Sequence, residues 1–349
     1  MRRVGIIVAF LLAAAVVAWL AWRKAPTPGD ATEDPSSPAG ASATHAATTK
    51  GATLPAVIAS SPPPAAKDDA ARFVPFGDGA DALGKGVTPD GHPVAPSSFL
   101  ATSDGLLVVD QEHGRLWRSN GAPIPLPGKR ADDVARADDG SLAVLDRTGG
   151  REIAVLDPSG RVKGRIPLAG QGLEEPRDVS RVFVSGRDVL VERNGGGPLL
   201  RVGSIDGSPA KERTEIQGVP TRDGKYLASA GVTNEDEGRA WITLADRSAV
   251  HLWTRELKYP AALSAVAFLD SEASGTIWAV LLAGSSAADY VDWAVCFDPQ
   301  TGNLRGSFTI ATENPPWESF RDFAVQDGAG LVAAKRAQGG VSYATYRCP

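Results

Sequence analysis

Short apolar segments separated by Gly- and Asp-rich turns recur along most of the chain and constrain its fold more than any other feature. Each copy reads as four brief strands joined by tight turns, which is the pattern of antiparallel β structure. The period is roughly 40 residues, a length typical of repeat architectures. Three clear copies begin at Ser98, Asp133 and Asp178, and three degenerate ones span Pro220–Asp246, Ala265–Ile310 and Asp322–Cys348.

Four short strands repeated about every 40 residues are typical of a β-propeller, in which each copy forms one blade. Six copies predict an all-β, six-bladed β-propeller, with seven or five blades as the alternatives. The last copy supplies only three strands before the chain ends. We expect Arg72–Phe76 to provide its missing outer strand, because pairing the first and last segments removes an exposed sheet edge.

Two stretches, LLVVDQEHGRLWR and LAVLDRTGGREIAVLD, carry a family resemblance. Each is a short strand ending in Asp, then a turn, then an Arg followed by an apolar strand. This pattern resembles the NHL-repeat family of bacterial propellers. The resemblance covers the first two or three blades well, the fifth and sixth weakly, and the fourth loosely. It implies a six-bladed fold but no particular activity, since propellers host binders, lyases and lactonases alike.

The N-terminus contains an uncharged stretch from Val4 to Trp22, between two arginines and the pair Arg23 and Lys24. As a helix, residues 4–22 would span about 28 Å, close to the thickness of a bilayer core. We therefore expect residues 1–24 to be a single transmembrane signal anchor, with a cleaved signal or a buried core helix as alternatives. In a bacterial cell the propeller would then lie on the periplasmic side of the inner membrane.

Residues 25–71 are rich in Ala, Pro, Ser and Thr and contain no aromatic residue. A segment that cannot bury apolar surface does not offset the entropy of ordering. The sequence therefore predicts a disordered linker over 25–71 and a propeller domain over 72–349. The net charge of −5 and the absence of clustered Lys or Arg argue against nucleic-acid binding and leave a protein or glycan as the expected partner.

Strand-ending acids recur at equivalent positions of the repeat. Asp110 with Arg115, and Asp146 with Arg151, share one spacing across a turn, which predicts a structural pair in each blade. In the third blade Gly197 stands where the Arg would be, so Glu192 is expected to be the free carboxylate.

A metal-dependent hydrolase or lactonase is the enzymatic alternative. Such a propeller would hold Ca or Zn at its channel through Glu192, Asn194 and Asp236. Against it, the sequence has no paired histidines at zinc spacing and no nucleophile elbow. We therefore expect no catalytic residue and no cofactor.

Two exposed features are candidates for partner binding. Trp317 lies in the loop ENPPWESF, where Pro315 and Pro316 disfavour a regular strand. The second feature is the acidic run that contains Asn234, Glu235 and Asp236, to which Glu192 is added as a binding candidate.

Cys296 and Cys348 are the only cysteines. In an exported domain they predict a disulfide that fastens the C-terminal strand, with two buried thiols as the alternative. Anchor, linker and propeller together favour a non-enzymatic, membrane-anchored scaffold for a protein or ligand over the metal-dependent hydrolase.

Overall fold

A computed structural model describes residues 52–59, 63–65, 70–87, 91–128, 130–285, 290–311 and 318–348. Within these residues the chain is all-β apart from one 3-10 turn at Pro176–Asp178. The N-terminal part holds β1 (Ala52–Ile58), β2 (Ala70–Pro75) and a hairpin of β3 (Gly86–Val87) and β4 (Pro93–Val94).

Six antiparallel sheets follow one another and form the predicted six-bladed propeller. Blade 1 contains β5 (Phe99–Thr102), β6 (Gly105–Asp110), β7 (Arg115–Arg118) and β8 (Ile124–Pro125). Blade 2 contains β9 (Asp133–Arg136), β10 (Leu142–Asp146), β11 (Glu152–Leu156) and β12 (Val162–Pro167). Blade 3 contains β13 (Val179–Ser185), β14 (Asp188–Arg193), β15 (Leu199–Ser204) and β16 (Pro209–Ile216).

The second half of the ring repeats this arrangement. Blade 4 contains β17 (Val219–Pro220), β18 (Tyr226–Asn234), β19 (Arg239–Asp246) and β20 (His251–Lys258). Blade 5 contains β21 (Leu263–Ser271), β22 (Ile277–Ala283), β23 (Val291–Phe297) and β24 (Leu304–Ala311). Blade 6 contains β25 (Phe323–Gln326), β26 (Gly330–Ala337) and β27 (Gly340–Tyr346).

The ring closes between the last blade and the first. β2 pairs antiparallel with β27 and is the outer strand of blade 6, with Val74 buried in the interface between blades 6 and 1. The inner strands β25 and β5 also contact each other. The outer strand of the last blade thus comes from the segment before the first blade, in the region of Arg72–Phe76.

Apolar side chains pack between neighbouring blades. Five clusters of buried residues fill the interfaces of blades 1 and 2, 2 and 3, 4 and 5, 5 and 6, and 6 and 1. Among the described residues no such cluster lies between blades 3 and 4. The hydrophobic core is therefore divided among five blade interfaces, and the interface of blades 3 and 4 differs from them in lacking such a cluster among the described residues.

The segment predicted to be a disordered linker is ordered in part. β1 lies parallel to β20 as a fifth strand of blade 4, and the Thr309 N–H of blade 5 donates to the Pro64 carbonyl at 3.1 Å. Arg255 donates to the Pro55 carbonyl at 2.6 Å. The prediction is wrong here because exposed blade edges offer backbone hydrogen bonds, which need no apolar pattern in the added segment.

The remaining N-terminal predictions concern residues 1–24, with the span 4–22, and residues 25–51, which lie outside the described residues. Among the residues that are described, no helix is long and apolar enough to cross a bilayer.

Candidate functional site

One mouth of the propeller axis, which we name the upper mouth, holds a cavity of about 390 Å³. Its wall comes from four blades: the β10–β11 turn, the start of β13 with the β14–β15 turn, β21, and the segment before β25. The lining side chains mix hydrogen-bond donors, carboxylates and aromatic rings: Arg147, Arg177, Asp178, Ser180, Arg181, Asn194, Ser319, Phe320, Asp322 and Phe323.

Arg181 and Glu192 form a nearly buried ion pair beside this cavity. The Arg181 Nε donates to Glu192 Oε2 at 2.8 Å and its Nη2 to Oε1 at 3.3 Å, while the Ser180 hydroxyl donates to Oε2 at 2.7 Å. Their neighbouring positions on β13 and β14 bring these side chains together. The carboxylate of Glu192 is thus held from both sides.

A second ion pair joins two blades that are not neighbours in the ring. Arg321, from the segment before β25, donates to both oxygens of Asp133 at 2.9 and 3.1 Å, and the Val182 N–H donates to Asp133 at 2.9 Å. Burial raises the pKa of Asp133, but the Arg321 guanidinium, the Ser98 hydroxyl and the Val182 N–H outweigh it and hold this pKa below its ordinary value. The pair ties together blades 2, 3 and 6.

The opposite end of the axis, the lower mouth, holds a cavity of about 450 Å³ lined by residues of all six blades. Arg222 donates to Asp270 at 2.9 Å there, and Arg321 lines the cavity from the axis. Arg222 also lies 3.8 Å from Asp327, so it neutralises acids of two blades in the lower mouth.

Asp132 is a buried acid next to the upper mouth. Its Oδ2 accepts the Arg147 N–H at 2.7 Å, and the Arg147 side chain pairs with Glu318 and lies over the Phe320 ring at 4.2 Å. Burial, with smaller contributions from nearby Asp146 and Glu318, raises the pKa of Asp132 to about 6, although Arg147 opposes the rise.

We expect Asp132→Asn to stabilise the protein at pH 8 but not at pH 4. The folded pKa lies above the unfolded value of 3.8, so the folded state holds a proton that the unfolded state releases. The free energy of unfolding therefore falls as pH rises from about 4 to about 6, by up to about 3 kcal/mol. Urea unfolding of both proteins at pH 4, 6 and 8 measures this. An advantage of the variant that does not grow between pH 4 and 6 would contradict the assignment.

The carboxylate predicted to be free is not free. Glu192 is buried and paired with Arg181, which lies 11 positions earlier in the chain, on the preceding strand and not across the following turn. Asn194 lines the upper mouth, whereas Asp236 lies in the exposed β18–β19 turn. Among the described residues no three His, Cys, Asp or Glu side chains are grouped as metal ligands. Asp236 lines neither the upper mouth nor the neighbouring cavity that Glu192 lines, so the three residues proposed for Ca or Zn are not brought together as one site.

The acidic run predicted to bind a partner lies in an exposed hairpin turn, away from the upper mouth. Asn234 Oδ1 accepts the Glu237 N–H at 3.1 Å, and Glu235 and Asp236 lie exposed in the same hairpin turn. None of these three residues lines the upper mouth. Trp317 lies outside the described residues.

The strand-end pairs are formed in one blade and not in the other. Arg115 Nε donates to Asp110 at 2.9 Å, and Asp110 also accepts the Gly84 N–H at 2.9 Å. Asp146 instead accepts turn N–H groups, among them that of Gly150 at 2.7 Å. Within the described part of the chain no ion pair joins Asp146 to Arg151, so that prediction is wrong. The turn of blade 2 is one residue longer than that of blade 1, so Asp146 lies opposite Glu152, and Arg151 ends the turn with a positive φ of 53°.

Cys296 of β23 and Cys348, which follows β27, are joined by a disulfide across a sequence separation of 52 residues. It fastens the C-terminal end of blade 6 to blade 5. Because it holds the end of the strand that pairs with β2, it is a structural bond.

Sequence reasoning missed the Arg321–Asp133 pair. Asp133, Asp178 and Asp322 stand at the same place in three copies of the repeat, each followed by Val or Phe. That alignment was a usable signal for an acid at the head of an inner strand. The arginine that meets Asp133 is 188 residues away, and no local pattern could name it.

No protein-family model and no curated protein matches the chain, so its NHL-repeat character stays a prediction. Solved structures do resemble it. A DUF4221 family member from Bacteroides vulgatus is 7% identical, with a TM-score of 0.44, covering 81% of this chain and 97% of its own. A periplasmic gluconolactonase from Pseudomonas aeruginosa is 14% identical, with a TM-score of 0.43 and coverage of 80% and 99%.

A gluconolactonase from Xanthomonas campestris is similar at 13% identity and a TM-score of 0.40, covering 79% of this chain and 98% of its own. At such identities and TM-scores, these likenesses carry no argument about activity. What the chain does has to be argued from its own mouth residues.

Proposed function

We propose that this protein is a non-enzymatic binding module that receives a protein or ligand partner at the upper mouth. The proposal also places the propeller on the periplasmic side of the inner membrane, anchored through residues 4–22. The observation that supports it most is the upper-mouth cavity, where four blades present arginines, carboxylates, hydroxyls and two phenylalanine rings together.

Two of the buried acids near the cavity support binding over hydrolysis. Glu192 is held by Arg181 and Ser180, and Asp133 is held by Arg321. A metal ion or an attacking water requires carboxylate oxygens that are not already neutralised. Arg177 and Asp178 are exposed at the same rim and can contact a partner directly.

Site-specific photo-crosslinking in cells tests the proposal. A benzophenone side chain is placed in the full-length chain at Arg177 or at Ser319 in the upper mouth, and at Asp138 in the lower mouth as the matched control. We expect one discrete crosslinked product from both upper positions and none from the control. The product should weaken at least tenfold with Phe320→Ala.

Two results would count against the proposal. Equal crosslinking from the upper and lower mouths would remove the assigned surface. Turnover of lactone or ester substrates by the purified full-length chain, abolished by substitutions in the upper mouth, would replace the binding module with an enzyme.

A further inference from the structure

The inner strand of blade 4 is unusually short. β17 has two residues, whereas the inner strands of the other blades have four to nine. It pairs only with Ala228 and Leu227, although β18 continues to Asn234. The upper half of β18 therefore has no inner neighbour in the sheet.

The hydrogen bonds at the start of β18 show which of its backbone groups point to the inner side of the sheet. The N–H and the carbonyl of Tyr226 both point inward, to Thr221, at 3.0 Å each. Hydrogen-bonding direction alternates along an antiparallel strand, so Ala230 also presents its N–H and carbonyl to the inner side. No strand pairs with Ala230 there in the part of the chain that the structure describes.

A recess of about 210 Å³ occupies this place, between blades 3 and 4, with β21 of blade 5 as a further wall. Phe183, Trp241, Val266 and Leu269 form its apolar walls, and Ala230 lies along one side. The interface of these two blades is also the one without a packed apolar cluster among the described residues. Arg181 lines both this recess and the upper mouth, so the two cavities adjoin.

We propose that the recess binds an extended peptide segment of the partner, which pairs with Ala230 as an added strand and buries an apolar side chain. This inference rests on the proposed function and names the chemistry of its partner. An extended residue presents its own N–H and carbonyl on one edge, which is the complement of the edge at Ala230.

The charge and size of the recess agree with a peptide. Arg181 and Glu192 neutralise each other at its end, so an uncharged backbone enters without leaving a buried charge unpaired. A cavity of about 150 Å³ in another protein holds a benzene molecule, so this recess has room for one apolar side chain and part of a backbone.

Peptide selection on the purified full-length chain tests the inference, with random heptapeptides displayed on phage as the probe. We expect enriched peptides with an apolar residue flanked by uncharged ones. Ala230→Pro removes an inward N–H that the β18–β19 ladder does not use, so it should weaken the selected peptides at least tenfold with little change in melting temperature. Arg136→Ala, in the lower mouth, is the matched control and should leave affinity unchanged.

Two further measurements keep the inference testable if Ala230→Pro does not fold. Val266→Phe fills the recess without altering the Ala230 backbone and should also cost at least tenfold in affinity. N-methylation of the peptide should abolish binding at alternate positions only, since one edge of the peptide pairs with the protein.

The outcomes separate this inference from the proposed function. In one outcome, peptide affinity does not change with Ala230→Pro, Val266→Phe or N-methylation but is lost with Phe320→Ala. That result would overturn strand pairing and leave binding at the upper mouth intact. Selection that enriches no peptide, together with specific crosslinks at Arg177 and Ser319, would overturn the peptide class. Absence of both would overturn the two proposals together.

Discussion

Arg321→Met is expected to lower the free energy of unfolding by about 3–5 kcal/mol. The substitution leaves the Asp133 carboxylate buried without its charged partner, and such a group is costly. Chemical denaturation of the full-length chain at pH 7 measures the change. A matched control is Arg161→Met, whose solvent-exposed pair with Asp157 is screened by water and is expected to leave stability nearly unchanged.

The double variant Arg321→Met with Asp133→Leu should recover much of the loss, because it removes both charges together. In the natural protein, Asp133 has a folded pKa below its ordinary 3.8, so its stabilising contribution is present above pH 4 and is lost as pH falls through the folded pKa. If the Arg321→Met protein were as stable as the natural protein, the Arg321–Asp133 pair would not be what stabilises the centre of the propeller.

Removing the disulfide is expected to cost about 4 kcal/mol, the second large effect. The bond closes a loop of 52 residues, and the chain-entropy model gives about this figure for that length. Cys296→Ala with Cys348→Ala, compared with the natural protein by thermal unfolding with and without reductant, measures it. Under reducing conditions the two proteins should unfold at similar temperatures, because the reductant breaks the disulfide of the natural protein and the variant has none.

A natural protein whose melting temperature is insensitive to reductant, while both thiols become reactive, would contradict this. In that case the buried contacts of Cys296 with blade 6, and not the covalent bond, would hold the C-terminal strand.

The repeat pattern was sufficient to predict the fold because each blade is a local unit. Four strands joined by tight turns put all their pairing within about 40 residues, where turn residues and apolar segments are legible. The strands of 52–75 were harder to read. β1 is held by hydrogen bonds from edges more than 190 residues away, as in the contact of Arg255 with Pro55, and composition alone does not show such partners.

The candidate site was less predictable, because its ion pairs join different strands and blades. Asp110 and Arg115 face each other across one turn, so their spacing was informative. Glu192 was expected to be free because no Arg follows it across the turn, whereas Arg181 reaches it from the preceding strand. The recess beside Ala230 exists because β17 has only two residues, and the degenerate fourth copy of the repeat does not show how short its inner strand is.

The metal content of the purified full-length chain, prepared without chelator and measured by elemental mass spectrometry, distinguishes a binding module from a metal-dependent hydrolase. A binding module in which Glu192 and Asp133 are paired with arginine should carry no divalent metal near one equivalent. One equivalent of calcium or zinc, lost with Glu192→Gln while the fold is retained, would contradict the account and establish the metal-dependent hydrolase as the better hypothesis.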